Sequence, residues 1–488
     1  MQQLDGMDYV FFGFESDQNP IHIAGTTICD AASCGERRPG GAELRQILCS
    51  RLERLPLVRR RLQRVPLALD YPYWVEDDEF DMERHVRLVE LPGPGGWTQL
   101  MALTAQLLNQ PFDTQHPLWE LYVITEINAV ADLSPGSFVL LLRMHHVFAD
   151  AATAMIITGA IFDTSASSSA PAAGGEPAPE GIRLYGAAAW NYVNRMAGSA
   201  LGAVRAMPLF GRYVAETASR AIRERTSPLK NLVPPRTRFN PDRLSGKRLV
   251  DARRFNLQHA GAMRALVDGA TINDLLLAVI GGALRRYLEI DNELPVDALT
   301  AAVPINLRQF DDKEAGSNVV SGMTLPLHQE IADPVERLAA IVKASSRAKR
   351  HTAMQMNRRL AKLVTGLPAP VLSLALAALN KLEYGKQPAL VSTIVSNARS
   401  FPDVQSVAGA EVRYMYGIGL LLPGIGSLHA CTVYAGYLNI GLTVSEEVMP
   451  DTAPYMQCLQ DSFAQYESLV AEAKREPTRR KKGKARRE

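Results

Sequence analysis

Two adjacent histidines, His145 and His146, followed at the fourth position by Asp150, are the residues of this 488-residue chain best suited to moving a proton. An imidazole titrates near neutral pH and can take a proton from a hydroxyl while an acyl group is transferred to it. The apolar run Phe138 to Met144 predicts a buried strand, and the alanine-rich run Ala151 to Phe162, with apolar residues at helical spacing, predicts a helix. The histidines therefore fall where a strand gives way to a helix, a place where a rigid sheet holds a side chain and the following loop opens room for a substrate. A lone histidine at such a point usually packs at the rim. An adjacent pair with an aspartate at this spacing is more specific. No Gly-x-Ser-x-Gly elbow occurs, and no cysteine stands in a recognisable nucleophile context.

The run His145-His146-Val147-Phe148-Ala149-Asp150-Ala151 resembles the His-His-x-x-x-Asp-Gly signature of the CoA-dependent acyltransferase superfamily, with Ala151 where the pattern has glycine. Pro111-Phe112-Asp113 with Pro117-Leu118-Trp119-Glu120 is similar to the segment that precedes this signature in the bacterial wax ester synthase/diacylglycerol acyltransferase family. Thr271-Ile272-Asn273-Asp274, Pro304-Ile305-Asn306-Leu307-Arg308, Gly316-Ser317-Asn318, Asp333-Pro334 and Ser396-Asn397 follow in that family's order, as does Leu4-Asp5-Gly6 at the start. The resemblance spans about Leu4 to Leu469. One block departs: Ala398-Arg399-Ser400-Phe401-Pro402 replaces a Val-Pro-Gly-Pro turn.

The resemblance implies an α/β fold of two chloramphenicol-acetyltransferase-like domains, mixed sheets with helices, and an active-site channel at the domain interface. It implies an acyl-CoA:diacylglycerol O-acyltransferase making triacylglycerol. Wax ester synthesis from a long-chain alcohol, or a lipid-binding member with little or no turnover, are the alternatives. By the same resemblance His146 is the general base and returns its proton to the CoA sulfur. His145 is supporting, and Asp150 is structural or orienting, with Arg143 or an arginine of the second domain as its partner. Asn273, Asp274, Ser396 and Asn397 are expected along the substrate channel. Acyl-CoA is a co-substrate; no resident cofactor and no metal are implied.

Composition agrees with a globular enzyme: 47% hydrophobic and 21% charged residues allow a large core. Five scattered cysteines without a Cys-x-x-Cys pair suit reduced thiols in a cytoplasmic compartment. The start has no basic segment followed by an apolar one, and no run reaches the roughly 18 to 20 apolar residues that span a bilayer, so a peripheral protein at the inner face of the membrane or at lipid droplets is expected, not a secreted one. Nine of the 53 Lys and Arg residues lie in 474–488, a tail that suits either attraction to anionic lipid or a solvated end. With no aromatic in that tail, nucleic acid is not an expected partner.

Along the chain, the Ser/Ala/Pro/Gly-rich stretch 164–183 reads as a linker closing a first domain, 1–163. Residues 184–236 read as a helical connector with an apolar stripe including Trp190, Val193 and Met196. A second domain is expected over 237–470, with a helix from Asn273 to Leu288, a strand from Leu299 to Ile305 and a hairpin turning at Ala435-Gly436. Residues 471–488 are expected to form a disordered basic tail.

Overall fold

The computed structural model describes residues 2–16, 19–35, 37–149, 151–163, 185–198, 235–306, 320–349, 366–381, 391–397, 401 and 403–484. Asp150, the expected linker, most of the expected connector, Leu307-Arg308, Gly316-Ser317-Asn318, residues 398–400 and Pro402 lie outside them.

Among the described residues the first half carries β1 (Gln2–Gln3), β2 (His22–Asp30), β3 (Arg60–Gln63), β4 (Tyr73–Glu76), β5 (Val86–Glu90), β6 (Trp119–Ile127) and β7 (Ser137–His145). The second carries β8 (Arg248–Asn256), β9 (Thr300–Asn306), β10 (Val320–Pro326), β11 (Thr393–Asn397), β12 (Ser406–Val407), β13 (Ala410–Ile418), β14 (Ser427–Tyr434) and β15 (Tyr437–Ser445). They form two mixed six-stranded sheets, ordered β12-β13-β2-β7-β6-β5 and β10-β9-β11-β14-β15-β8, and a small sheet β1-β4-β3.

Strand β7 is central in its sheet, flanked by antiparallel β2 and β6, and all nine of its residues are buried. A strand covered on both faces needs an unbroken apolar run, which explains why Phe138 to Leu142 lacks the alternation of a half-exposed strand. The helix Ala151–Ile161 follows it as expected. The predicted hairpin is also present: Ala435 and Gly436 both take positive φ, 49° and 79°, in the two-residue turn joining β14 to β15. Helix Ile272–Ile290 and strand β9 match their expected positions within a few residues.

Two features cross the expected boundaries. Strands β12 and β13 fall within 237–470, yet β13 pairs with β2 and β12 with β13, extending the first sheet. Their docking is fixed by Asp163, whose carboxylate accepts from Arg51 at 2.6 Å, Ser406 Oγ at 2.8 Å, Ala408 N at 2.8 Å and Gly409 N at 2.9 Å. Long-range strand exchange of this kind depends on which sheet edge is open, and local pattern carries no trace of it. The second is at the tail, where one helix runs from Ala453 to Lys484. Its first turns bury Tyr455, Leu459, Phe463 and Tyr466 in the second core, and the helix-favouring run Leu469 to Glu476 continues it.

The halves meet along β8. Val250 and Ala252 pack in one core with Leu100, Leu141 and Tyr416, and Trp97 Nε1 donates to Asp251 Oδ1 at 2.9 Å. The described part of the connector is helical over 185–198, where Trp190, Val193 and Met196 are exposed.

Candidate active site at the end of the central strand

His145 closes β7 and lies opposite His22, the first residue of β2. Its backbone N–H donates to the Leu118 carbonyl at 2.9 Å, and that of His146 to the Ile21 carbonyl at 2.9 Å. The His145 carbonyl accepts from Phe148 N at 2.9 Å and from Ala149 N at 3.3 Å, so the chain turns tightly before the helix begins. His145 is wholly buried, whereas His146 is half-buried, its ring 4.3 Å from that of Phe11. Phe11 and Phe12 both belong to helix Gly6–Phe14, and Phe12 stands edge-on to His145 at 5.9 Å.

Each ring nitrogen of His145 faces a polar group. Val147 N–H donates to Nδ1 at 3.2 Å, which in a neutral imidazole leaves the proton on Nε2, 3.0 Å from Glu15 Oε1. His22 Nε2 approaches the same oxygen at 3.6 Å, and His22 Nδ1 donates to the Leu108 carbonyl at 3.1 Å. Burial pushes the Glu15 carboxyl up, but the two imidazoles more than offset it and hold the group well below the usual carboxylate range. His22 is lowered to about 4, chiefly by burial, with the Glu15 contact opposing.

Sequence reasoning missed Glu15 and His22. Neither lies near His145 in the chain, and only the pairing of β2 with β7 brings them to it.

Among the expected site residues, Asp150 lies outside the described residues. Arg143, expected as its partner, is engaged with Glu120 and with the carbonyls of Leu107 and Gln110, its guanidinium 4.1 Å over the Phe112 ring. Asp274, expected along the channel, caps the helix Ile272–Ile290: its buried carboxylate accepts from Thr271 N at 2.9 Å and Thr271 Oγ1 at 2.7 Å, while Thr271 Oγ1 accepts from Asp274 N at 3.2 Å. Thr271-x-x-Asp274 before an apolar helix is itself a capping pattern, so the signal was present. Asn273 is exposed beside the cap. Ser396 is half-buried and Asn397 exposed at the end of β11, and the chain beyond them reaches Phe401, which packs edge-on against Phe162 below the histidine helix at 4.8 Å.

Two mixed sheets exchanging a hairpin, with a His-His turn at the end of the central strand and close to their junction, define a CoA-dependent acyltransferase of the two-domain, chloramphenicol-acetyltransferase-like kind. The sequence model of the wax ester synthase/diacylglycerol acyltransferase catalytic domain matches residues 4–276, and that of the family's C-terminal domain matches 316–467. The chain belongs to the wax ester synthase/diacylglycerol acyltransferase family, and it is an acyltransferase. It is similar to a Mycobacterium tuberculosis (strain H37Rv) protein whose naming as a diacylglycerol O-acyltransferase is itself an inference, at 28% identity over 98% of this chain and 99% of the relative. Among solved structures, the wax ester synthase/diacylglycerol acyltransferase of Marinobacter aquaeolei VT8 shares its fold with a TM-score of 0.65, at 22% identity over 96% of this chain and 100% of the other. A trichothecene 15-O-acetyltransferase of Fusarium sporotrichioides shares the fold more distantly, with a TM-score of 0.55 at 11% identity over 95% of this chain and 94% of the other.

Proposed function

We propose that this protein transfers a long-chain acyl group from acyl-CoA to the free hydroxyl of diacylglycerol, making triacylglycerol, with His146 as general base. The observation that carries the assignment of the base is the asymmetry of the histidine pair. His145 is sealed in the sheet, its Nδ1 accepting from Val147 N–H and its Nε2 against Glu15, while the adjacent, half-buried His146 stands at the strand end, where a substrate can reach it. His146 takes the acceptor's hydroxyl proton as the oxygen attacks the thioester carbonyl. The same imidazolium then protonates the departing CoA sulfur as the tetrahedral intermediate collapses. The choice of diacylglycerol over a long-chain alcohol is supported by the names of the mycobacterial relatives, which match over nearly the whole chain.

A water-insoluble acceptor must be met at a lipid surface, and the reading includes peripheral attachment to one. Among the described residues no helix is long and apolar enough to cross a membrane. What supports attachment is exposed apolar side chains on two helices held to one scaffold. Tyr71 donates to the Leu367 carbonyl at 2.7 Å just before helix Ala369–Asn380, and its ring lies 4.1 Å beneath Arg195 of the helix over 185–198. Trp190 on one helix is 68% exposed and Leu374 on the other 74%.

The test is an acceptor panel. Purified protein is given one long-chain acyl-CoA with either dioleoylglycerol or hexadecanol, free thiol is followed, and the lipid product is identified. Triacylglycerol formation that falls about two to four orders of magnitude in His146→Ala, with folding intact and a smaller loss in His145→Ala, is the expected result. Wax ester as the dominant product would replace the acceptor. Undiminished thiol release in the His146 variant would remove the base.

A further inference from the structure

We propose that Glu15 is a positioning residue of the acyl-transfer site: its carboxylate holds the His145 imidazole, and through it the turn that presents His146. The inference rests on the reading of His146 as the base and adds what keeps that base in place.

Glu15 directly follows helix Gly6–Phe14, and the chain then doubles back, with Asn19 N donating to the Ser16 carbonyl at 2.9 Å. The loop is short and held at both ends. On one side the Glu15 carboxylate meets His145 Nε2 at 3.0 Å. On the other, Arg248, a buried residue at the start of β8, donates from Nη2 to Asn19 Oδ1 at 3.0 Å and to the Pro20 carbonyl. One residue further, Ile21 accepts the His146 N–H. The loop thus joins the histidine turn to the second half of the molecule.

The tautomer of His145 is what Glu15 controls. Nδ1 must stay unprotonated to accept Val147 N–H, so the proton belongs on Nε2, and a carboxylate oxygen is an acceptor placed to keep it there. Were the proton on Nδ1, the Val147 N–H would lose its acceptor, and the peptide between His146 and Phe148 would be free to reorient. His22 does not replace this contact, because its Nδ1 is held by the Leu108 carbonyl and its Nε2 stays 3.6 Å from the carboxylate. Small displacements of a general base are costly to the chemical step and leave substrate binding largely intact.

Three substitutions of Glu15 in the full chain, assayed with a long-chain acyl-CoA and dioleoylglycerol, separate reach from charge. Glu15→Gln keeps an oxygen at the same reach and gives up the charge. Glu15→Asp keeps the charge and withdraws it by one methylene. Glu15→Ala removes both. The expected result is a kcat lowered about tenfold to a hundredfold in the Asp and Ala variants, KM for both substrates within about twofold, and recovery to within about threefold of wild type in the Gln variant. Gln as impaired as Ala with Asp active would show that charge, not the contact to His145, matters, and would overturn the proposal. So would near-wild-type kcat in Ala. If Glu15→Ala does not fold, Gln against Asp carries the test alone. A cycle with His145→Ala adds a second reading: the Glu15→Asp and His145→Ala losses are expected to overlap, and losses that multiply independently would also overturn it. Thiol release that survives His146→Ala defeats the reading beneath this inference, whereas an inactive His146→Ala beside an unaffected Glu15 series defeats the inference alone.

Discussion

Arg143 and Glu120 stand opposite each other in the register of β7 and β6, and their side chains form an ion pair inside the first half. The arginine is 1% exposed, and its charge is met by this one carboxylate and by backbone carbonyls. Glu120 also accepts from Tyr122 and faces Arg87 at 3.2 Å. The Pro-Leu-Trp-Glu segment is therefore architecture. Leu118 accepts the His145 N–H, Trp119 fills the core with its Nε1 on the Val58 carbonyl, and Glu120 neutralises Arg143.

Removing the carboxylate leaves a guanidinium buried without its counter-charge, a change that costs about 3 to 5 kcal/mol. Glu120→Ala is expected to lower the midpoint of thermal unfolding by several degrees or to yield little folded protein. Glu120→Gln, which still accepts one hydrogen bond, should fall between. A Glu120→Ala protein as stable as wild type in urea unfolding would show that the backbone carbonyls alone suffice for Arg143.

His429 provides a pH test of the second core. It is buried in β14, with Nε2 2.7 Å from the Tyr455 hydroxyl and Nδ1 3.3 Å from Thr393 Oγ1, and burial lowers its pKa from 6.5 to about 4. Between those values the unfolded chain takes up a proton that the folded one refuses. Unfolding then consumes protons, so stability falls as pH falls through this window. His22, lowered by burial to about 4, acts in the same direction, while Glu15, held low, adds a loss only below its ordinary 4.5. Each such histidine steepens the decline by at most about 1.4 kcal/mol per pH unit. Denaturant unfolding from pH 6.5 to 4.5 is expected to show a shallower slope in His429→Gln than in wild type, whatever its stability at pH 7. Parallel slopes would mean that His429 is protonated in the fold.

Much of this architecture could be read locally. The apolar run before His145, the alanines after Asp150 and the Ala435-Gly436 turn each specify their element within about ten residues, by burial pattern or by backbone preference. What could not be read depends on pairing between distant segments. His22 meets His145 because β2 and β7 align, and Ser406 to Ile418 joins the first sheet because β2 has an open edge. Glu15 carries no local sign of its role, since a lone glutamate after a helix is common. The capping role of Asp274, by contrast, is legible locally, in Thr271-x-x-Asp274 before an apolar helix.

The exposed side chains of Trp190 and Leu374 give the lipid-surface reading a direct measurement. An indole and an aliphatic side chain at an interface gain free energy by leaving water, about 25 cal/mol for each Å² buried. Trp190→Ala with Leu374→Ala is expected to reduce flotation with anionic vesicles severalfold and to leave thiol release on detergent-dispersed dioleoylglycerol near wild type. Equal flotation of both proteins would move the attachment surface elsewhere.

Ala151 occupies the position where the signature has glycine, and the helix that begins there decides what backbone that position needs. Glycine would be required there if the backbone took a positive φ, since a Cβ is strained in that region. Ala151 instead begins the helix Ala151–Ile161, so its backbone is helical and suits alanine. Replacing alanine by glycine inside a helix costs as much as ~1 kcal/mol through the freedom glycine regains in the unfolded chain, and the first turn costs less. Ala151→Gly is accordingly expected to lower the thermal midpoint slightly and to change kcat by less than about tenfold, or ~1.4 kcal/mol in the barrier. Thiol release with dioleoylglycerol, measured beside thermal unfolding of the same preparation, decides it. A hundredfold rise in turnover would mean that the methyl obstructs the approach to His146, and that the natural protein holds its acyltransferase activity in check at this one position.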